Sequence, residues 1–286
     1  MTDKKEPRRK IRFDRVAMIV IPILLVAVLI TGLYGVIINK NKNKSADTKP
    51  TPTPAATESP DPKESATPEA SEEPAEEPTP EPTVDPEKDE RFFKTDSYLI
   101  VANKKHRLPE GYIPDDLAYP DVEMRYNDWT LRWDAAIALE EMFNDAGNEG
   151  IYLVMGSGYR SEEFQKTLYD GYAEESGTAY ADTISSRPGY SDHQTGLATD
   201  LCGQDSDYDL SQVFEETPEG QWLAANAWKY GFIMRYPKGK EDITGYAYEP
   251  WHFRYITKEE AKKLHDAGEN MTFEEFYGIS GGDYAS

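Results

Sequence analysis

Between positions 16 and 38 the chain reads VAMIVIPILLVAVLITGLYGVII, 23 residues without a charge. A helix of that length spans the roughly 30 Å hydrocarbon core of a bilayer with some tilt. Any globular part that follows must therefore fold by itself on one side of a membrane. The run exceeds the apolar core of a signal peptide, and no small-residue cleavage site follows it. Lys4, Lys5, Arg8, Arg9, Lys10, Arg12 and Arg15 precede it, against Lys40, Lys42 and Lys44 behind it. The heavier basic flank stays inside. The sequence thus predicts a cytoplasmic tail over 1–15, a transmembrane helix over 16–38, and a C-terminal bulk outside the cell.

Composition then shifts sharply. Residues 1–44 carry a net charge of +7, residues 45–90 a net of −11, and residues 91–286 a net of −18. The middle block is built from Pro, Glu, Thr, Ala and Ser, with little apolar surface to bury, so a disordered linker is expected over 39–90. Its prolines and like charges favour an extended chain reaching on the order of 140 Å at about 3.1 Å per residue, a tether holding a domain away from the membrane. The acidic C-terminal block repels nucleic acid, and that function class is set aside. Cys202 is the one cysteine, which excludes an internal disulfide framework and reads as a small buried hydrophobe.

Residues 91–286 are long enough to be stable on a hydrophobic core alone. Short apolar runs predict strands at 97–104, 151–156, 197–202, 232–237 and 249–256. Helical periodicity runs from Leu131 to Ala146, with Gly147 as its terminator. Ser161 with Glu162 and Glu163 predicts a helix to about Ser176, and Thr217-Pro218 opens another that ends near Gly231. Thr257 with Glu260, and Thr272 with Glu275, have capping-box spacing. Strands and helices are mixed without strict alternation, which predicts an α+β fold with a mainly antiparallel sheet and flanking helices.

Four histidines occur: His106, His193, His252 and His265. His193 stands seven residues before Asp200 in SDHQTGLATD, and His252 three residues after Glu249 in YEPWHFRY. Two imidazoles and a carboxylate make a sound Zn²⁺ ligand set with a fourth position left open. Gly196 would let the chain turn after His193 so that Asp200 points inward from the next strand. Glu249 is the candidate general base. Residues three apart on a regular strand face opposite sides, so Glu249 is expected just before the strand, at the break that Pro250 imposes. Arg160, in GSGYRS, is placed to neutralise an oxyanion. Alone, each motif is weak; His106 and His265 read as structural or solvated.

Together these segments resemble the VanY-type D-alanyl-D-alanine carboxypeptidases, zinc metallopeptidases of a superfamily that includes the hedgehog signalling domain. The family's S-x-H-x-x-G-x-A-x-D pattern stands as Ser191, His193, Gly196, Ala198 and Asp200; its S-G-Y-R-S-x-x-x-Q pattern as Ser157 to Ser161 with Gln165; its E-P-W-H-x-R-Y pattern as Glu249 to His252 with Arg254 and Tyr255. The likeness extends from roughly 98 to 276. It implies a hedgehog/D-Ala-D-Ala-peptidase-like fold, with His193, Asp200 and His252 holding zinc and Glu249 as catalytic base. It further implies that Arg160 contacts the scissile carbonyl, and that Gln165 and Ser191 hold the substrate's C-terminal end. The family's usual Glu before the first histidine is Asp192 here. The implied partner is the peptidoglycan stem peptide, and the chain is expected to act as a monomer. An L,D-carboxypeptidase on tetrapeptide stems, or a non-catalytic wall-binding module, are the competing expectations.

Overall fold

The computed structural model describes residues 85–126 and 128–284. The expected cytoplasmic tail and transmembrane helix, and the linker as far as residue 84, lie outside those residues. Among the described residues no helix is long and apolar enough to cross a membrane. Residues 85–90, expected in the disordered linker, are instead folded onto the domain. They form 3₁₀ turns at Pro86–Lys88 and Glu90–Phe92, each opened by an Asp side chain that accepts from the backbone. Glu87 fixes them by accepting hydrogen bonds from the Ser280 backbone and hydroxyl, at 2.7 and 2.6 Å, and by pairing with His106. Composition alone could not show these partners, because they lie far along the chain.

The elements run β1 (Leu117–Ala118), β2 (Leu131–Arg132), α1 (Trp133–Asn148), β3 (Val154–Ser157), α2 (Glu162–Ser176), α3 (Thr178–Ile184), β4 (Ala198–Cys202), α4 (Pro218–Asn226), β5 (Phe232–Met234), α5 (Glu241–Thr244), β6 (His252–Tyr255), α6 (Lys258–Ala267) and α7 (Phe273–Tyr277). β1 and β2 pair with each other. The other four strands form one antiparallel sheet of order β3-β4-β6-β5. The α+β class expected from the sequence is what the chain adopts.

Caps and breakers act largely as their residue types dictate. Ser161 accepts from the Phe164 amide at 3.1 Å and opens α2, which ends at Gly177 with φ +84°. Thr217 and Pro218 open α4, and the chain continues as a 3₁₀ turn to Gly231. Thr272 and Glu275 complete a reciprocal capping box, whereas at Thr257 only the forward bond to Glu260 forms. Helix α1 runs past Gly147; the left-handed residue is Gly150, φ +80°.

One predicted strand is absent. Residues 97–104 form turns, although Leu99, Ile100, Val101 and Ala102 are all buried. Several carbonyls in and beside this segment accept from side chains rather than from a ladder. Arg254 donates to Tyr98 O and Ile100 O, and Arg132 donates to Asp96 O and Ser97 O. A buried backbone must be paired, but it need not be paired in a sheet.

The main core lies on one face of the sheet, where Leu201, Phe232 and Phe253 pack with Leu139 and Met142 of α1. Side chains alternate along a strand, so Asp200, His252 and Arg254 occupy the other face. The register pairs Asp200 with His252 across β4 and β6, and Ser157 with Asp200 across β3 and β4.

Candidate active site

His193 lies in a 3₁₀ turn, Asp192–Thr195, closed by Gly196 in the left-handed conformation at φ +69°. A Cβ at Gly196 would sit 3.0 to 3.1 Å from Leu117, Arg132 and Pro114, so the tight turn anticipated there requires glycine for space as well as for φ. The ring's Nδ1 is 2.9 Å from the Gly158 carbonyl, an acceptor only, so Nδ1 carries the proton and Nε2 presents its lone pair. Gly158 is itself confined: a Cβ would lie 2.6 Å from Thr130 O.

Nε2 of His193 is 3.4 Å from Asp200 Oδ1, and Nδ1 of His252 is 3.1 Å from the same oxygen. The two imidazoles stand edge to face with centroids 4.7 Å apart. Ligand atoms of His193, Asp200 and His252 all fall within 4.8 Å of one another, and all three residues are buried. Asp200 Oδ1 is buried with no hydrogen-bond donor. An orphaned carboxylate oxygen facing two imidazole nitrogens fits a divalent cation, whose bonds would satisfy all three.

Glu249 precedes β6 as expected. A turn closed by the His252 amide on the Glu249 carbonyl, 3.2 Å, interrupts strand periodicity and leaves Glu249 Oε2 3.5 Å from His252 Nδ1. Its side chain is 14% exposed. Burial pushes its carboxyl up to about 7, opposed by His252 and assisted by Asp200. A carboxylate so tuned accepts a proton near neutral pH and can give it back. Arg160 Nη2 lies 2.7 Å from Asp200 Oδ2, 3.2 Å from Ser157 Oγ and 2.9 Å from His193 Nε2. Ser157 Oγ also donates to Asp200 Oδ2.

Electrostatics divide the pair of histidines. Burial, reinforced by Arg160, lowers His193 to about 4, keeping it neutral and able to donate a lone pair. Burial would lower His252 as well, but the carboxylates of Asp192 and Asp200 outweigh it and raise the ring to about 9, so a cation bound at Nδ1 would have to displace that proton. Asp200 is held well below the ordinary carboxylate range because His193, His252 and Arg160 overcome its burial.

Sequence reasoning missed two partners. Asp192 Oδ2 lies 3.3 Å from His252 Nε2, and its other oxygen pairs with the buried guanidinium of Arg254. The pair fixes the far side of the His252 ring and leaves Nδ1 to the cluster. The available signal was the two-residue spacing of His252 and Arg254, which places both on one strand face. Gln165 and Ser191 are buried, at 1% and 2% exposure, in the wall beside the cluster's loop. Both N–H bonds of Gln165 are committed, to Ser185 Oγ at 3.1 Å and Ser186 O at 2.9 Å. These two bonds brace the segment that leads into Ser191, and Gln165 Oε1 is buried without a partner. His106 is structural, bonded to Asn103 and Glu87, and His265 is exposed against Trp228. Cys202 is a buried free thiol.

A buried imidazole–carboxylate–imidazole cluster flanked by a near-neutral carboxyl and a guanidinium is suited to hydrolysing an amide. The family described as VanY, D-alanyl-D-alanine carboxypeptidase, matches residues 128–258. The Bacillus subtilis protein YodJ is 43% identical over 186 residues, 64% of this chain and 67% of that protein. Among solved structures, the LdcB LD-carboxypeptidase is 41% identical with a TM-score of 0.61, covering 66% of this chain and 89% of that one. A VanY D,D-pentapeptidase solved with Zn(II) is 30% identical with a TM-score of 0.52, covering 63% of this chain and 98% of that one. The chain belongs to the VanY family of D-alanyl-D-alanine carboxypeptidases and is a peptidase.

Proposed function

We propose that the protein is a zinc-dependent carboxypeptidase that removes the terminal D-Ala from peptidoglycan stem pentapeptides outside the cell. The observation that carries this reading is the convergence of ligand atoms of His193, Asp200 and His252 within 4.8 Å of one another, beside the half-buried Glu249. Zn²⁺ held by these three residues would supply Lewis acidity at its remaining open position. Glu249 takes the proton of the attacking water and delivers it to the nitrogen of the leaving D-Ala. Arg160, once a carbonyl oxygen enters, offers its guanidinium to the negative charge that develops there. His193 and His252 keep their ligand nitrogens aimed inward because Gly158 O and Asp192 hold the opposite ring nitrogens. Gln165 and Ser191 hold the peptide's C-terminal end, and Gln165 also braces the segment that leads into Ser191.

The apolar run at 16–38 and the Pro/Glu-rich stretch after it support a single-pass anchor with the catalytic domain outside. Incubating purified muropeptides with the full chain tests the activity by mass spectrometry. Loss of one alanine mass from pentapeptides is expected, with chelator abolishing it and Zn²⁺ restoring it. Chelator-resistant turnover, or none on any stem peptide, defeats the proposal.

A second reading, an L,D-carboxypeptidase on tetrapeptide stems, is favoured by the 41% identity to the LdcB LD-carboxypeptidase. Release of alanine from tetrapeptides but not pentapeptides in the same assay selects it.

A further inference from the structure

Segment 185–191 runs directly into the His193 turn. Arg187-Pro188-Gly189-Tyr190 is a β-turn closed by the Tyr190 amide on Arg187 O at 3.0 Å, with Pro188 second and Gly189 third at φ +87°. That is the residue preference of a type II turn. Gln165 holds one side of the segment through Ser185 and Ser186, and Tyr246 donates to Ser186 Oγ at 2.8 Å.

The other side is held by a residue nearly a hundred positions away. Tyr284 Oη accepts from the Arg187 amide at 2.7 Å. Its ring lies 4.0 Å beneath the Arg187 guanidinium, which Asp182 holds at 2.8 Å, and meets the Tyr190 ring edge-on at 5.3 Å. The strand of chain that brings Tyr284 there is itself seated against α5. Gly282 N donates to Ile243 O, and a Cβ at Gly281 would sit 2.2 Å from that same oxygen. The buried Lys104 ammonium ties Gly245 O to Asp283 at 3.1 Å.

We infer that Tyr284 is a positioning residue for substrate binding. It braces segment 185–191 so that Ser191 is presented to the peptide's C-terminal end, while leaving the metal ligands to their own supports. The inference rests on the reading of Ser191 given above. Tyr284 touches none of the reacting groups, so its loss acts on KM rather than on kcat.

The test uses the zinc-loaded full chain, well below the Tm of every variant. Tyr284→Ala is expected to raise KM for the pentapeptide roughly ten-fold, with kcat and bound zinc unchanged, and to speed hydrogen exchange of the peptide covering 185–191. Tyr284→Phe keeps both ring contacts and loses only the acceptor for Arg187 N–H. It should raise KM roughly three-fold, the scale of one net hydrogen bond. Unchanged KM and exchange in Tyr284→Ala overturn the inference, as does a fall in kcat at constant KM or a loss of zinc. Failure of the underlying functional reading is seen separately, as no alanine release by the unmutated chain, and the exchange measurement still decides whether Tyr284 orders the segment.

Discussion

Asp192 and His252 meet at 3.3 Å on the side of the imidazole opposite Asp200. One ring is thus clasped by two carboxylates, one on each nitrogen, and the outer carboxylate is anchored by buried Arg254. Such an outer partner sets the tautomer and the aim of a ligand imidazole.

Asp192→Asn keeps the shape and removes the charge. Zinc affinity should fall roughly 10- to 100-fold, the usual cost of losing an outer carboxylate. Arg254 would be left buried without its counter-charge, so stability should fall by about 3 kcal/mol. Competition with a chromophoric chelator and urea titration measure the two effects, and unchanged metal affinity would exclude Asp192 from any role at the site.

In the proposed mechanism Glu249 serves as the base and not as a ligand. Glu249→Gln is therefore expected to bind one zinc per chain while its turnover drops by at least roughly 10²-fold, the contribution of a positioned base. Metal analysis beside a D-alanine release assay checks this. A variant that retained full turnover would remove Glu249 from the chemistry.

Gly158 matters through its carbonyl. Gly158→Ala would press a methyl to within 2.6 Å of Thr130 O and shift the acceptor of His193 Nδ1. Zinc binding should weaken by about 10-fold or more as His193 loses its orientation, whereas Gly147→Ala, at a helical site with nothing near, should leave it unchanged. Zinc titration of both variants gives the comparison.

Glu87 carries a pH signature of the contact between residues 85–92 and the rest of the domain. Burial would raise its carboxyl, but hydrogen bonds from Ser280 and His106 dominate and lower it to about 2 from an ordinary 4.5. The folded state thus favours the ionised form. Its contribution is complete above pH 4.5 and is lost as pH falls from there toward 2. Glu87→Gln should lower Tm at pH 7, and the difference from the unmutated chain should shrink steadily as the pH is taken from 5 to 3. A difference independent of pH would show that the carboxylate's charge does not hold this segment.

The candidate site and much of the local structure were legible in the amino-acid sequence. The candidate ligand set, the carboxylate before the Pro250 break, the glycine at 196 and the Ser161 cap all follow from short-range rules, because donor chemistry, φ preference and orphaned helix amides are properties of a few adjacent residues. Burial of Cys202 and the solvation of His265 followed in the same way. Tertiary structure alone decided the rest. Residues 97–104 look like a strand because their centre is apolar, yet Arg254 takes the Tyr98 and Ile100 carbonyls and Arg132 takes that of Ser97. Asp192 became the partner of His252 only when β6 was laid beside the His193 turn. Gln165 was turned toward Ser185 and Ser186 by the packing of α2 against the segment that follows α3. In each case the deciding contact joins residues remote in the chain, where buried polar groups must find whichever partners the fold brings within hydrogen-bond reach.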